Sequence, residues 1–557
     1  MNGAERLCRV LERLGVQTVF GLPGSQNVAL FEALRTSRLR TVVATHELAA
    51  SFMANGHARA SGRPGVLLTI PGPGFTYALT GIAEAFLDSV PVLYILGKPA
   101  TAPGRRFQLQ ALDQKAILAP MVKRIFEVES ARELEKSLVE AYALCQTGEP
   151  GPVVVQVSPA VSTEVPEAEP LVTPAAPPET PPTEEIRTRL EQARRPLFYV
   201  GQGAFAASGE LRALVEALKV PVVTTTSGRG VLPEDHPWVI PFDRGSSEVL
   251  NELVGSADLI LALGCKFSHN GAHGFRLRLP ADRLIHVDAS KDVLGANYDA
   301  ATTLVADVPR LIRTLRDGQK ARGAPPRSEW TESEIAGWRE RAFQRYRNAW
   351  EPKVRGLDPP TIETFFSVLR AAMPPESHLV VDSGLHQMLA RRHYRVLCPR
   401  GFLLPTDLQA MGFALPAAIG ARLADPDRPV VALMGDGGFA MSGLELLTAV
   451  REHVNLTVIV FNDGHYGLIR KQQMGSHGHA YGTDLFNPDF RDFTESVGAR
   501  YERLERNAQD CLERAIRGPG ITVVEVLLRD RGRQRFRRAR SVASRLKHLL
   551  QSAAGKA

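Results

Sequence analysis

Short apolar runs, several closed by a glycine, recur along this chain and alternate with amphipathic stretches of helical length. The runs are Val66–Ile70, Val90–Leu96, Val153–Val157, Leu197–Val200, Leu259–Leu263, Leu379–Val381, Val430–Met434, Thr457–Phe461 and Thr522–Leu527. A strand with one wet face alternates apolar and polar residues; a continuous apolar run marks a strand covered on both faces, as in parallel sheets flanked by helices. Gly97, Gly201, Gly264 and Gly435 follow such runs. Ligands of parallel sheets bind beyond the carboxyl ends of the strands, so these glycine turns are where chemistry is expected.

A chain of 557 residues suggests about three such units. Two breaks divide it. Pro159–Pro182 holds eight prolines in 24 residues and reads as an exposed linker without helix. A Gly/Lys/Arg/Pro stretch at Asp317–Pro326 precedes a charged helical segment, Ser328–Arg347, and Leu357-Asp358-Pro359-Pro360 opens the last unit. The expected fold is α/β, three doubly wound parallel-sheet domains: residues 1–160, a linker at 161–185, a central domain at 186–318, a linker with a helix at 319–357, a third domain at 358–528 and a basic tail at 529–557.

The net charge of +7 is local. Nine Lys/Arg and one Asp between Arg529 and Lys547 leave the remainder near neutral, which removes support for a nucleic-acid partner. In the tail, Phe536, Ala539, Val542, Leu546 and Leu549 form a helical stripe amid arginines. That pattern suits a solvated terminal helix more often than contact with anionic lipid or a CoA phosphate. No window offers the ~18 uncharged apolar residues of a membrane span, and the start lacks a signal-peptide layout, so a cytoplasmic location is expected. Five scattered cysteines without Cys-x-x-Cys read as reduced, structural thiols.

Val430–Gln473 carries the most chemistry. One strand runs into Gly435-Asp436-Gly437-Gly438, a helix is expected at Gly443–Val450, and a second strand ends at Asn462-Asp463-Gly464-His465-Tyr466-Gly467. A right-handed crossover brings Asp436 and Asp463 close together. Glycines let backbone N–H groups approach a diphosphate, and hard carboxylate oxygens beside phosphate suit Mg²⁺.

This pair of segments resembles the thiamine-diphosphate motif, and the chain is similar along most of its length to the acetolactate synthase and 2-oxoacid decarboxylase family, nearest to acetolactate synthase large subunits. The resemblance implies that Asp436, Asp463 and the His465 carbonyl hold Mg²⁺ against the diphosphate, with Gly435, Gly437, Gly438, Tyr466 and Gly467 around it. Asp463 stands where the family more commonly has Asn. Thr45-His46-Glu47-Leu48-Ala49-Ala50, followed by Gly56-His57-Ala58-Arg59-Ala60-Ser61-Gly62, resembles the segment whose glutamate meets the aminopyrimidine ring. Glu47 takes that role, its proton setting the ring tautomer that activates the cofactor.

Further matches imply further contacts. Gly24 and Ser25 belong to the loop facing the reaction centre; Pro71 and Gly74 lie in the turn Pro71-Gly72-Pro73-Gly74. Gln110 falls on the family's glutamine, while Ala111 departs from its glutamate. Asp382-Ser383-Gly384-Leu385-His386-Gln387-Met388 resembles the segment whose His386 and Gln387 reach the diphosphate. Gln409-Ala410-Met411-Gly412 resembles the stretch whose bulky residue, Met411, wedges the two rings. The first, central and third domains are thus expected to be pyrimidine-binding, nucleotide-binding-like and diphosphate-binding.

Gly201-Gln202-Gly203, Thr224–Gly230 and Val287-Asp288 are compatible with FAD in the central domain, though a lone Gly-x-Gly does not favour it. Lys266-Phe267-Ser268-His269-Asn270 departs from the Arg-Phe-Asp-Asp-Arg segment of acetolactate synthases, and no tryptophan follows the metal segment. The resemblance implies thiamine-diphosphate- and Mg²⁺-dependent decarboxylation of a pyruvate-like 2-oxoacid with carboligation to a second carbonyl. A non-ligating decarboxylase, a 2-hydroxyacyl-CoA lyase and a catalytically dead binding protein are the alternatives. It also implies a homodimer or homotetramer with sites between subunits.

Overall fold

The computed structural model describes residues 1–102, 104–165, 183–241, 247–322, 328–344 and 351–529. The core of the proline-rich stretch and the basic tail beyond Arg529 lie outside the described residues.

Three parallel sheets are stacked along the chain. The first holds β1 (Thr18–Gly21), β2 (Arg40–Val43), β3 (Gly65–Thr69), β4 (Val92–Gly97), β5 (Arg124–Val128) and β6 (Pro152–Val157) in the order β2-β1-β3-β4-β6-β5. The second holds β7 (Pro196–Val200), β8 (Val222–Thr224), β9 (Val239–Ile240), β10 (Leu259–Leu263), β11 (Leu284–Asp288) and β12 (Thr302–Val305), ordered β12-β11-β10-β7-β8-β9. The third holds β13 (Lys353–Val354), β14 (His378–Val381), β15 (Phe402–Leu403), β16 (Val430–Gly435), β17 (Leu456–Asn462), β18 (Arg500–Arg503) and β19 (Ile521–Arg529). Its order is β13-β19-β17-β16-β14-β15, with β18 also on β19 and only β13 antiparallel. Helices cover the faces, and among the described residues none is long and apolar enough to cross a membrane.

The structure corrects three expectations about the connecting segments. Pro159–Thr163 forms a short helix with proline at its start, where the missing N–H would have had no partner. Val161 is buried in the first core and the Glu164 carbonyl accepts the Gly3 N–H at 2.8 Å, so this stretch packs with the first unit rather than linking away from it. The helix Glu332–Gln344 belongs to the second unit: Trp330 and Ile335 enter its core, and Trp330 Nε1 donates to the Pro196 carbonyl at 2.8 Å. Lys353–Val354 pairs with the end of β19, so the third sheet recruits chain from before residue 358.

The first and third units share a core. The helices Glu47–Ser61 and Ala414–Ala424 cross within it, both rich in Ala and Gly and buried on most sides. A Cβ at Gly56 would strike the Ala417 backbone, and one at Gly420 the Met53 backbone. Nothing larger than glycine permits that approach.

A buried ionic cluster fastens the same two units. Arg59 Nη2 lies 2.6 Å from Asp88 Oδ2, and Asp88 accepts the N–H groups of Thr406 and Asp407 at 2.8 and 2.9 Å. Glu84 accepts the Ala410 N–H at 3.2 Å. Burial and the Asp88 charge push Glu84 up to about 9, whereas Arg59 and the bonds from Glu84 and Thr406 overcome burial and hold Asp88 low. The pair therefore keeps one proton and one charge at neutral pH.

Candidate active site

The sheet order places β14, β16 and β17 side by side, and the chain beyond each carries polar side chains. β16 ends at Gly435, and a helix begins at the next residue, Asp436–Ser442; after an interruption at Gly443 a second helix runs Glu445–Arg451. The helix expected at Gly443–Val450 is the second of these, and the first, which opens on Asp436 itself, was not expected.

Asp436 Oδ2 accepts from the Gly464 N–H at 2.8 Å and from Asn487 Nδ2 at 2.7 Å, and Oδ1 from the Gly437 N–H at 3.0 Å. Burial raises its pKa against those bonds. Asp463, beyond the end of neighbouring β17, accepts the His465 N–H at 3.0 Å. The Tyr466 ring lies over Gly437, where a Cβ would come within 2.7 Å of it. Among the described residues no group of three His, Cys, Asp or Glu side chains could hold a metal. An ion here would need the two carboxylates completed by backbone and ligand oxygens.

Asp382, after β14, is buried and accepts the N–H groups of Ser383, Gly412 and Phe413 at 2.9, 2.9 and 3.1 Å. Burial pushes it up to about 7. His386 is wedged where a Cβ at Gly384 or Gly435 would come within 2.8 or 3.1 Å of its ring. Its Nε2 is buried without a partner, and burial pulls its pKa down to about 4, leaving a neutral imidazole. Gln387 and Gln409 both donate to the Pro405 carbonyl, at 2.8 and 3.0 Å, and so shape the loop bearing half-buried Met411.

The second group of predicted residues gathers at the carboxyl ends of the first sheet. Glu47 opens its helix after β2, half-buried, its Oε1 3.2 Å from the position of a Cβ on Gly74. Pro71 packs against Gly97, and Gly72 against the Gln110 side chain. Gln110 hydrogen-bonds Gln26, and its φ of 58° is left-handed, as is that of Gln409 at 64°. Such backbone strain in non-glycine residues concentrates at functional sites. In the turn after β1, Asn27 accepts the Gly24 N–H at 2.8 Å and donates to the Leu22 carbonyl at 3.0 Å, presenting Ser25 to solvent.

Comparison with known families matches this architecture unit by unit: "Thiamine pyrophosphate enzyme, N-terminal TPP binding domain" over residues 1–117, the central domain over 183–315, and the C-terminal TPP binding domain over 382–526. The chain belongs to the thiamine pyrophosphate enzymes. It is an enzyme of acetolactate synthase-like type. It is 32% identical to the acetolactate synthase isozyme 1 large subunit of Escherichia coli K12, over 94% of this chain and 93% of that one. Against the probable acetolactate synthase large subunit of Methanocaldococcus jannaschii the identity is 30%, over 90% and 88%. A probable 2-ketoarginine decarboxylase of Pseudomonas aeruginosa is 32% identical, over 94% of each chain.

For a thiamine pyrophosphate enzyme the donor set fits: two carboxylates from adjacent strands beside a buried imidazole nitrogen with nothing to bond. Sequence reasoning missed Asn487, Asn27 and Gln26, all local polar residues in loops without a distinguishing pattern. It quoted Asp382 only within a motif, and no residue spacing announces that its carboxylate anchors a loop thirty positions away.

In the central domain Gly201 and Gly203 are explained by packing, since a Cβ on either would collide with Gly264. Lys266 pairs with Glu149 at 2.6 Å and donates to the Leu87 carbonyl at 3.1 Å, across a cleft of about 410 Å³ between the units.

Proposed function

We propose that this chain uses thiamine diphosphate and Mg²⁺ to decarboxylate a pyruvate-like 2-oxoacid and joins the remaining acyl unit to a second carbonyl compound. The observation that carries the reading is the convergence of Asp436, Asp463 and the unpartnered His386 nitrogen at the ends of β14, β16 and β17. Similarity to acetolactate synthases supports the ligating step.

Asp436, Asp463 and the His465 carbonyl would hold Mg²⁺ against the diphosphate, and His386, whose other ring nitrogen bonds the Asp382 carbonyl, would have to take up a proton to donate from Nε2 to one of the diphosphate oxygens. Bound thiamine diphosphate supplies the electron sink that lets a 2-oxoacid lose carbon dioxide. Glu47 holds the proton exchanged with the aminopyrimidine ring. Met411, on the loop tied to Asp382, would pack against the cofactor's rings. Gln110 and Ser25 stand where the substrate enters and orient its polar groups.

The Glu47 group and the Asp436 group are assigned to opposite sides of a site formed by two copies of the chain. Large exposed apolar side chains beside both groups support this: Phe107 and Leu109 near Gln110, Met441 and Leu444 after Asp436, and Phe486 next to Asn487. A dimer buries such surface.

A second reading, decarboxylation without ligation, is favoured by Lys266. Its charge is committed to Glu149 and its segment to inter-unit bonds, as when Asn270 donates to the Thr406 carbonyl, leaving that stretch fewer groups for a second oxoacid. Incubation with pyruvate and identification of products separates the two: acetolactate supports ligation, acetaldehyde the second reading. Absence of cofactor-dependent carbon dioxide release from every member of a 2-oxoacid panel would remove both.

A further inference from the structure

A relay of side chains stands behind Asp436. Residues 483–485 lie antiparallel to residues 464–466, the Tyr466 N–H donating to the Thr483 carbonyl at 2.9 Å and the Leu485 N–H to the Gly464 carbonyl at 3.0 Å. Just beyond, Asn487 precedes Pro488, which favours extended backbone at the residue before it. Asp489 then caps the helix Phe490–Ser496 by accepting the Arg491 and Asp492 N–H groups. Fixed from both directions, the Asn487 side chain reaches the end of β16: its Nδ2 donates to Asp436 Oδ2 at 2.7 Å and to Asn462 Oδ1 at 3.3 Å.

A buried acid sets the direction of that amide. Glu525, on β19, accepts from the Tyr501 hydroxyl at 2.5 Å and Arg503 Nε at 2.9 Å through Oε2, and from Asn462 Nδ2 at 2.6 Å through Oε1. A carboxylate accepts and does not donate, so Asn462 turns its Nδ2 to Glu525 and its Oδ1 to Asn487, and Asn487 answers with its own Nδ2. The consequence falls on Asp436. A carboxylate offers about four lone-pair positions. Oδ2 spends its two on the Gly464 N–H and Asn487, and Oδ1 spends one on the Gly437 N–H, which leaves a single open position, on Oδ1.

We propose that Asn487 is a positioning residue that restricts Asp436 to a bond through one oxygen and thereby sets the preference of the site for Mg²⁺ over Ca²⁺. With Asp436 as a metal ligand, as proposed above, the cation meets Oδ1 alone. Mg²⁺ demands a near-octahedral shell, which a carboxylate binding through both oxygens distorts; Ca²⁺ takes more oxygens in a flexible shell and accepts both from one carboxylate. Removing the Asn487 donor frees a lone pair on Oδ2 and gives Ca²⁺ a second oxygen it can use.

Equilibrium dialysis of the full chain against a fixed concentration of thiamine diphosphate, with Mg²⁺ or Ca²⁺ titrated in, gives the half-saturating concentration of each cation without recourse to activity. Wild type should take up the cofactor at a lower concentration of Mg²⁺ than of Ca²⁺. In Asn487→Ala the Mg²⁺ value should rise by about tenfold, the lower end of what a group orienting a metal ligand contributes, and the Ca²⁺ value by no more than about threefold, so the Ca²⁺-to-Mg²⁺ ratio falls. A loop that is merely loosened raises both values together and leaves the ratio as it was. Asn487→Ser is measured in the same way should circular dichroism show the alanine variant unfolded. A ratio equal to wild type in the folded variant, or a wild type without preference for Mg²⁺, overturns the proposal while leaving Asp436 a ligand. Cofactor uptake by wild type that needs no divalent cation would remove the ligand role of Asp436, and the proposal with it.

Discussion

The Asp382 carboxylate, just beyond β14, accepts the Gly412 and Phe413 N–H groups at 2.9 and 3.1 Å. That bond pair ties the loop bearing Gln409 and Met411 to the strand end bearing His386. It also starts the helix Ala414–Ala424, which packs against the helix led by Glu47. One buried acid thus aligns two groups of site residues that come from different units.

Replacing Asp382 by alanine leaves three N–H groups without their acceptor. At about 1–3 kcal/mol for each buried unsatisfied group, a loss of at least 2 kcal/mol is expected after partial relaxation. Urea unfolding measures it. A midpoint unchanged from wild type would show that the loop does not depend on this anchor.

The Glu84 proton gives a pH dependence with a definite sign. Its folded-state pKa is raised from 4.5 to about 9, so between those values the folded state binds a proton that the unfolded state has lost. Stability from this group is complete below pH 4.5 and lost as pH rises through 9, with a limiting slope of about 1.4 kcal/mol per pH unit. Asp88, held low, contributes in the opposite sense at acid pH. Glu84→Gln copies the protonated form, and its Tm should fall less than that of wild type between pH 6 and 9. Parallel curves would place the proton elsewhere.

Asp436→Ala and Asp463→Ala should each abolish retention of thiamine diphosphate after gel filtration, because the diphosphate would face an incomplete metal site. EDTA treatment of wild type should do the same. Tight, metal-independent retention by either variant contradicts the ligand roles.

The sequence made most interior strands readable and most edges not, although interior β1 and β8, only four and three residues long, were passed over as well. All nine apolar runs are strands, since both faces of a central parallel strand must be apolar. β2, β5, β12 and β18 were passed over because at the sheet margin their residues alternate between covered and exposed. β11 escaped for another reason: it is fully buried yet contains His286 and Asp288. Asp436 and Asp463 were legible because a glycine-flanked acid at a strand end is a local pattern. The Arg59–Asp88–Thr406 cluster was not, being assembled from positions more than 300 residues apart.

Glu47→Gln should preserve fold and cofactor binding while slowing proton exchange at the thiazolium by about 10²–10⁴, the usual acid–base contribution. Exchange monitored by NMR in deuterated buffer gives the rate directly. A rate equal to wild type would remove Glu47 from the proton path.

If each site is formed by Glu47 of one chain and Asp436 of another, two inactive variants should restore one another. Glu47→Ala and Asp436→Ala chains, co-expressed in equal amounts, pair at random, and half the dimers are mixed. In a mixed dimer one site receives the intact Glu47 from one chain and the intact Asp436 from its partner, while the other site carries both defects. With independent sites, about a quarter of wild-type activity should return. Were both residues to serve one site within a single chain, every site would keep a defect at any mixing ratio. Activity that stays at the level of the separate variants, in a preparation shown by differential tagging to contain mixed dimers, would therefore place Glu47 and Asp436 in the same chain's site.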